Sequence, residues 1–420
     1  MSQLTNLAGE MERHLPAELV EFMQQAGLIA SGQGESLYLV GGVVRDLLLK
    51  RANLDLDLVV RGNAIELAQK LAGITGAKLT IHPRFRTATL VWDKWKVDLA
   101  TCRSEHYDRP GALPTVHPGD IDLDLYRRDF TINAMAIELI PSRWGEVIDL
   151  YGGREDLEAY LLRILHEDSF IDDSTRIWRG LRYEQRLDFK LEPKTLRLLK
   201  RDIPMLETIS KDRIRHELEI ILKEELPEKV IRRADKLNIL PELCPAFKGD
   251  AWLARKFKKA RQASAPNPPP VELYLALLAY RLTEDETEKL ISRLRLGKSE
   301  ARTLRESSSL KAELGALDEP VLQPSCIYTV LIDFSPLSIR ANYIATDSPA
   351  VKKNISFFLS KLRNIKPALT GTGLQEMGVT PGPKMKEILH LLLEARLDGE
   401  VKDKKGEVGL VERWIEGWVA

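Results

Sequence analysis

Asp55 and Asp57 in the run NLDLDLVV are carboxylates two residues apart. If the run is a strand, alternation puts both on one face, with Leu54, Leu56 and Leu58 on the other. Two like charges so placed repel unless a cation relieves them, and hard Mg²⁺ takes one or two carboxylates together with phosphate oxygens. Without a cation the same pattern is a solvated strand face. A third acid, Asp98 in KWKVDLATCR, points away from Trp95, Val97 and Leu99 in another strand pattern. Three acids meeting across neighbouring strands suit two-metal phosphoryl transfer, one ion at an attacking hydroxyl and the other at a departing pyrophosphate.

Polyphosphate chemistry also needs donors. Gly41 and Gly42 fall between the apolar run LYLV and the helical run VVRDLLLK, a strand-to-helix turn that exposes backbone N–H groups, and Arg45 one turn on can add a charged contact. A glycine pair there also serves as a plain tight turn. In RRDFTINAMAIEL, which reads as a small-residue helical run, Arg128 can clamp a triphosphate and Asp129 can accept from a ribose hydroxyl. Alternatively Asp129 caps a helix with Arg128 as its ion-pair partner. Farther on, Arg176, Arg179 and Arg182 recur every third residue along one side of a helix. Such a row either meets anions or is a solvated basic face balanced by Glu184 and Asp188. Asp173 and Arg176 together offer the acceptor and donor that a base edge requires.

The elements that must position these groups differ along the chain. From Leu37 to about Leu139 short β-rich runs alternate with helical ones, which predicts an α+β head. Beyond Tyr151 strand signals are rare and amphipathic helices follow one another, interrupted by SAPNPPP at Ser264–Pro270 and by GTGLQEMGVTPGPK near Thr370. With 420 residues, two to four domains are expected. A formal charge of +0 excludes a protein that coats nucleic acid through sheer basicity, so a basic surface must be local. One candidate is the cluster Arg255, Lys256, Lys258, Lys259 and Arg261, with Trp252 and Phe257 among them, although a solvated helix has the same composition. Cys102, Cys244 and Cys326 are widely spaced, which argues against a disulfide framework or a CxxC metal site and for a reducing cytoplasm. The first residues read as an amphipathic helix carrying charges, not a signal peptide, and no run is apolar enough to span a bilayer.

Taken in order, GGVVRD, DLD, VDLATCR, RRDFTINAMA and DDSTRIWRGLRYEQRL, with a weaker echo in ISKDRIRHELEIIL, resemble the class II tRNA nucleotidyltransferase and bacterial poly(A) polymerase family. The resemblance implies a mixed-sheet nucleotidyltransferase head over 1–150, then all-α domains: a neck over 151–225, a body over 226–335 and a tail over 336–420. It implies Asp55, Asp57 and Asp98 as catalytic metal ligands for two Mg²⁺ ions. Gly41, Gly42, Arg45, Arg128 and Asp129 become nucleotide contacts, Asp173 and Arg176 the base-reading pair, and Arg179 and Arg182 phosphate partners. ATP and CTP are the implied substrates and tRNA the implied partner, with no membrane and no DNA involved. Two departures are visible: DDSTR stands where EDPLR is commoner, and the third acid is Asp where many members have Glu. SEHYDRPGALPTVHPGD resembles the flexible loop of members that add the terminal A. HPRFRTATLVW stands where poly(A) polymerases carry a GRRF-like element.

Overall fold

Alternating apolar runs in the first part of the chain pair into a single seven-stranded mixed sheet. The computed structural model describes residues 6–419, and the chain divides into two units, Met1–Ile221 and Leu222–Ala420. The strands are β1 Ser36–Val40, β2 Leu56–Arg61, β3 Lys78–His82, β4 Thr87–Trp92, β5 Trp95–Thr101, β6 Arg103–His106, β7 Thr115–Pro118, β8 Met135–Glu138 and β9 Val147–Asp149. The large sheet runs β3-β4-β5-β2-β1-β8-β9, while β6 and β7 pair separately as a hairpin. Only β2 and β5 run parallel within the large sheet; the remaining neighbours are antiparallel. Helices α1 Ala8–His14, α2 Ala17–Gly32, α3 Gly42–Leu48, α4 Ala64–Thr75 and α5 Ile121–Tyr126 complete the head. Asn63 caps α4 by accepting from the Ile65 and Glu66 backbone, which starts that helix directly after β2.

Alternation decides which face of the sheet is dry. Trp95, Val97 and Leu99 are buried on the face covered by α2 and α4, and the Trp95 indole donates to Glu18 of α2 at 2.7 Å. On the other face Tyr38, Val40, Val59, Cys102, Leu125, Ala134 and Ala136 form an apolar cluster. Asp57 and Asp98 lie on this second face.

Helices α6 Gly153–Glu158, α7 Ser169–Asp172, α8 Thr175–Leu187, α9 Pro193–Arg201 and α10 Lys211–Leu222 follow, with only the short parallel pair Leu161–Leu162 and Lys190–Leu191 between them. The second unit is helical among its described residues. One apolar cluster there includes Leu310, Ile327, Ile339, Ile355 and Phe358, and another Leu374, Ile388, Leu392 and Val411. The SAPNPPP stretch separates helix Ala251–Ser264 from helix Val271–Ala279, as the prolines require. The expected α+β head followed by helices is the architecture found.

Two local expectations fail for physical reasons, and a third is refined. RRDFTINAMAIEL does not form a helix: Thr131–Asn133 is one 3₁₀ turn, and Met135–Glu138 is recruited into the sheet beside β1. The segment read as a flexible loop begins and ends in the β6–β7 hairpin, pairing Arg103 with Pro118 and His106 with Thr115. Strand β2 starts at Leu56, so alternation does not extend to Asp55, and Leu54 is exposed.

Candidate active site

Parallel pairing of β2 with β5 sets Asp57 directly beside Asp98, and antiparallel pairing of β4 with β5 sets Thr89 beside Asp98. Both acids open into a cleft of about 1030 Å³ within the first unit. Asp57 is reachable by solvent yet has protein on most sides. Loss of water around it is the main reason its carboxyl is pushed up to about 6; Arg128 offsets part of this, and the Asp55 and Asp98 charges add to it. Asp98 is held at both oxygens, accepting from Thr89 Oγ1 at 2.5 Å and from Lys96 Nζ at 2.6 Å. Asp55 does not line the cleft: it precedes the strand, and its backbone N–H donates to Asn53 Oδ1 at 3.0 Å in a local turn. The expected convergence of three acids is thus a facing pair with Asp55 nearby, and no cluster of three His, Cys, Asp or Glu ligands in metal-holding geometry occurs among the described residues.

The cleft is also lined by Arg127, Arg128, Asp129, Asp173, Arg176 and Arg179. Arg127 and Arg128 both clamp Asp124 of α5, Arg127 Nη2 at 2.7 Å and Arg128 Nη2 at 2.9 Å. Burial would raise the Asp124 carboxyl, but these two guanidinium groups outweigh it and hold the carboxyl below its ordinary range. Arg128 also explains Gly41. At φ +80 this residue favours glycine, and a Cβ there would lie 2.9 Å from Arg128 Nη1 and 3.9 Å from Asp57 Oδ2.

Asp129 is neither a helix cap nor the partner of Arg128. It accepts from Arg179 Nη2 at 2.6 Å, from Asn133 Nδ2 at 2.9 Å and from the Phe130 backbone. Arg45, expected to reach phosphate, is buried at 3% exposure and does not line the cleft. Its donors go to Asp46 and to Asn133 Oδ1 at 2.7 Å, so it braces the asparagine that holds Asp129. The helical period turns Arg45 inward, where a lone guanidinium must find partners. Gly42 starts α3, and an added Cβ there would meet Arg45 Nη2 at 3.4 Å.

On α8 the row of arginines divides. Arg176 and Arg179 line the cleft; Arg182 is buried, does not line it, and lies 4.7 Å from the Tyr183 ring centroid. The same ring has Arg45 at 5.5 Å and Arg179 at 5.8 Å, making Tyr183 a shared support that the spacing of the arginines did not reveal. Arg176 donates to Ser169 Oγ at 2.7 Å and to the Arg127 carbonyl at 2.6 Å. Asp173 Oδ1 accepts from Thr175 Oγ1 at 2.6 Å and from Arg213 Nη2 at 2.7 Å, leaving Oδ2 without a hydrogen bond among the described residues.

Sequence reasoning missed other residues of the cleft. Glu105 accepts from Arg127 at 2.9 Å, Arg103 at 3.1 Å and the Tyr107 hydroxyl at 2.8 Å, joining the β6–β7 hairpin to the arginine cluster. Beyond it the loop reaches Thr208: at Gly111, φ +70, an added Cβ would fall 2.3 Å from Thr208 Oγ1. Glu217 of α10 also lines the cleft, is buried, and is raised mainly by that burial. The one legible signal was the i,i+3 and i,i+4 spacing of Asp124 to Arg127 and Arg128.

In the second unit the basic cluster separates as well. Arg255, Lys258 and Lys259 are exposed, whereas Lys256 is buried at 1% exposure with its ammonium 2.6 Å from Asp347. Leu253, Phe257 and Ala260 define the inward face of this helix, and Lys256 is next to it. Lys256 therefore cannot track phosphates.

Residues 37–163 match the Poly A polymerase head domain, and residues 188–250 match the probable RNA and SrmB-binding site of polymerase A. An A-adding tRNA nucleotidyltransferase of Geobacter sulfurreducens is 32% identical over 96% of this chain. The alignment spans 48% of that relative, so the chain corresponds to about half its length. Another A-adding tRNA nucleotidyltransferase, from Halalkalibacterium halodurans, is 31% identical over 95% of this chain and 93% of its own. Among solved structures, an apo CCA-adding enzyme superposes with TM-score 0.84 at 31% identity, covering 98% of this chain and 100% of that one. A Thermotoga maritima CCA-adding enzyme complexed with tRNA gives TM-score 0.79 at 29% identity, covering 99% and 100%. On its sequence, its sheet order and the acids and arginines facing one cleft, the chain belongs to the tRNA nucleotidyltransferase and poly(A) polymerase family.

Proposed function

We propose that this protein extends the 3′ end of tRNA without a nucleic-acid template, transferring AMP from ATP, and CMP from CTP where the whole CCA is built, with release of pyrophosphate. The observation that carries the reading is the side-by-side pair Asp57 and Asp98 in one cleft with Arg127, Arg128, Arg176 and Arg179. The A-adding names of the relatives favour addition of the terminal A.

Asp57 and Asp98, with Asp55 beside them, fit divalent metal: hard oxygen donors, two of them adjacent, and one carboxyl raised mainly by loss of water and further by its acidic neighbours, a charge that a cation would offset. Mg²⁺ bound there supplies activation of the attacking 3′-hydroxyl and charge neutralisation at the phosphates. The chain's own residues do the rest. Arg128 and Arg179 offer guanidinium groups to the triphosphate, each oriented by a carboxylate, Asp124 or Asp129. Asp173 and Arg176 meet the edge of the incoming base, Asp173 Oδ2 as acceptor and Arg176 as donor. Arg103, Glu105 and Tyr107 of the β6–β7 hairpin line the cleft and shield part of it from water. Positioning and electrostatics, with no covalent intermediate, account for the rate.

We assign the head over 1–150 to catalysis, the neck over 151–225 to base and phosphate recognition, and the body and tail to tRNA, with Arg255, Lys258 and Lys259 as backbone contacts. No described helix is long and apolar enough to cross a membrane. Three unpaired cysteines, two of them buried, suit a reducing cytoplasm. The test is to offer ATP and CTP separately to tRNA ending before the CCA and to tRNA ending in CC. One A added only to the CC-ended RNA marks an A-adding enzyme, and CCA on the shorter RNA marks a CCA-adding one. Long A tails on many RNAs mark a poly(A) polymerase, and no incorporation leaves a non-catalytic RNA-binding protein.

A further inference from the structure

Both carboxylate oxygens of Asp98 accept a hydrogen bond. Thr89, its neighbour across β4 and β5, donates to Oδ1 at 2.5 Å, and Lys96, two residues earlier on β5, reaches back along the same face to Oδ2 at 2.6 Å. The two partners differ in kind. Thr89 is half-buried, short, and fixed by strand register. Lys96 has a long flexible stem, a side chain 59% exposed, and an ammonium that lines the cleft. A partner of the first kind orients a carboxylate, and a partner of the second kind can leave it.

An ammonium 2.6 Å from Oδ2 fills one of that oxygen's two lone-pair sites and sets a positive charge beside the place a divalent ion would take at about 2.1 Å. Two cations held at one oxygen repel each other, so the metal favours the ammonium's departure. An isolated surface ion pair would carry no such meaning, but this one neutralises the acid that stands directly beside Asp57. Once displaced, Lys96 remains on the cleft wall, where a triphosphate brings the nearest new anion. Lysine serves phosphate as a mobile point charge.

We propose that Lys96 is a built-in counter-ion of the catalytic acids, occupying Asp98 until metal displaces it and then transferring its charge to the phosphates of the nucleotide, while Thr89 holds Asp98 in place throughout. Lys96 and Thr89 are thus positioning residues that act on Asp98, and metal and nucleotide entry are coupled through one side chain. The inference rests on the reading of Asp57 and Asp98 as metal ligands.

The test is titration of the full-length, nucleotide-free protein with Mn²⁺, followed by electron paramagnetic resonance. Lys96→Met should bind Mn²⁺ about two- to fivefold more tightly than wild type, the scale of an exposed ion pair. Lys94→Met, which removes the same charge from a side chain lying over the Trp95 ring at 4.7 Å, should not. Thr89→Val should weaken Mn²⁺ binding. In steady state with saturating Mg²⁺, Lys96→Met should raise the KM for ATP about tenfold and move kcat less. Unchanged or weaker Mn²⁺ binding by Lys96→Met, equal tightening by Lys94→Met, or an unchanged KM would overturn the proposal. Asp98→Asn separates the two levels. If it leaves wild-type Mn²⁺ affinity unaltered, the metal reading fails and the inference with it; if it weakens binding while Lys96→Met changes nothing, only the role of Lys96 falls.

Discussion

Arg179 and Asp129 are 50 residues apart in sequence and joined at 2.6 Å, which ties helix α8 to the segment that carries Arg127 and Arg128. Burial alone would raise the Asp129 carboxyl. The Arg179 charge and the bonds from Asn133 and Arg179 more than reverse this and hold it at about 2. A depressed value is a stability statement: the ionised pair contributes on the order of 2 kcal/mol above pH 4.

Asp129→Asn should therefore destabilise the protein by about 2 kcal/mol at pH 7, since the half-buried Arg179 guanidinium loses its carboxylate partner. The gap between wild type and variant should close as pH falls from about 4 to about 2, where Asp129 takes up its proton in the folded state. Denaturant melts across that range measure it; a gap independent of pH would show that the pair contributes no charge-dependent stability.

Asp57 has the opposite sign. Its folded value of about 6 lies above the ordinary 3.8, so the ionised carboxylate costs the fold free energy above pH 6, and the cost fades toward pH 4. Asp57→Asn should raise the metal-free melting temperature at pH 7.5 by the equivalent of about 1 kcal/mol, the full shift being discounted because solvent screens the exposed group. It should have no such effect at pH 4, and at pH 7.5 it should abolish nucleotide incorporation. Thermal scans in EDTA and a tailing assay give both readings.

Base selection provides a third test. Asp173→Ala and Arg176→Ala should each reduce discrimination of ATP over GTP about tenfold or more, the worth of one hydrogen-bonded base edge. Ratios of kcat/KM measure this, and a uniform loss for both nucleotides would move these residues from base reading to support.

In the second unit, charge reversal separates surface from core. Lys258→Glu and Lys259→Glu should weaken tRNA binding and reduce the slope of log affinity against log salt by about 0.9 for each phosphate left without its cation. Lys256→Met should leave that slope unchanged, because its ammonium is committed to Asp347.

The hairpin loop offers a fifth. At Gly111, alanine would carry its methyl into Thr208 and hold a left-handed conformation costing about 1 kcal/mol. Gly111→Ala should release the loop, seen as faster hydrogen exchange across residues 107–114 with exchange in the large sheet unaltered.

What the chain determines by itself is local. Alternation in KWKVDLATCR shows which side Asp98 takes, the helical period shows that Arg176 and Arg179 share a side, and the order of runs foretells a mixed-sheet head followed by helices. Periodicity reports orientation, not what lies across the gap. That Asp98 stands beside Asp57 depends on the register of two strands separated by helix α4 and by strands β3 and β4, and that Asp55 stays outside the cleft depends on where pairing begins. The same limit hid Arg45 and Lys256, which read as surface cations until packing buried them against Asp46, Asn133 and Asp347. Tertiary structure decided these because a buried charge is tolerated only where distant residues supply its partners, and distance along the chain carries no record of that meeting.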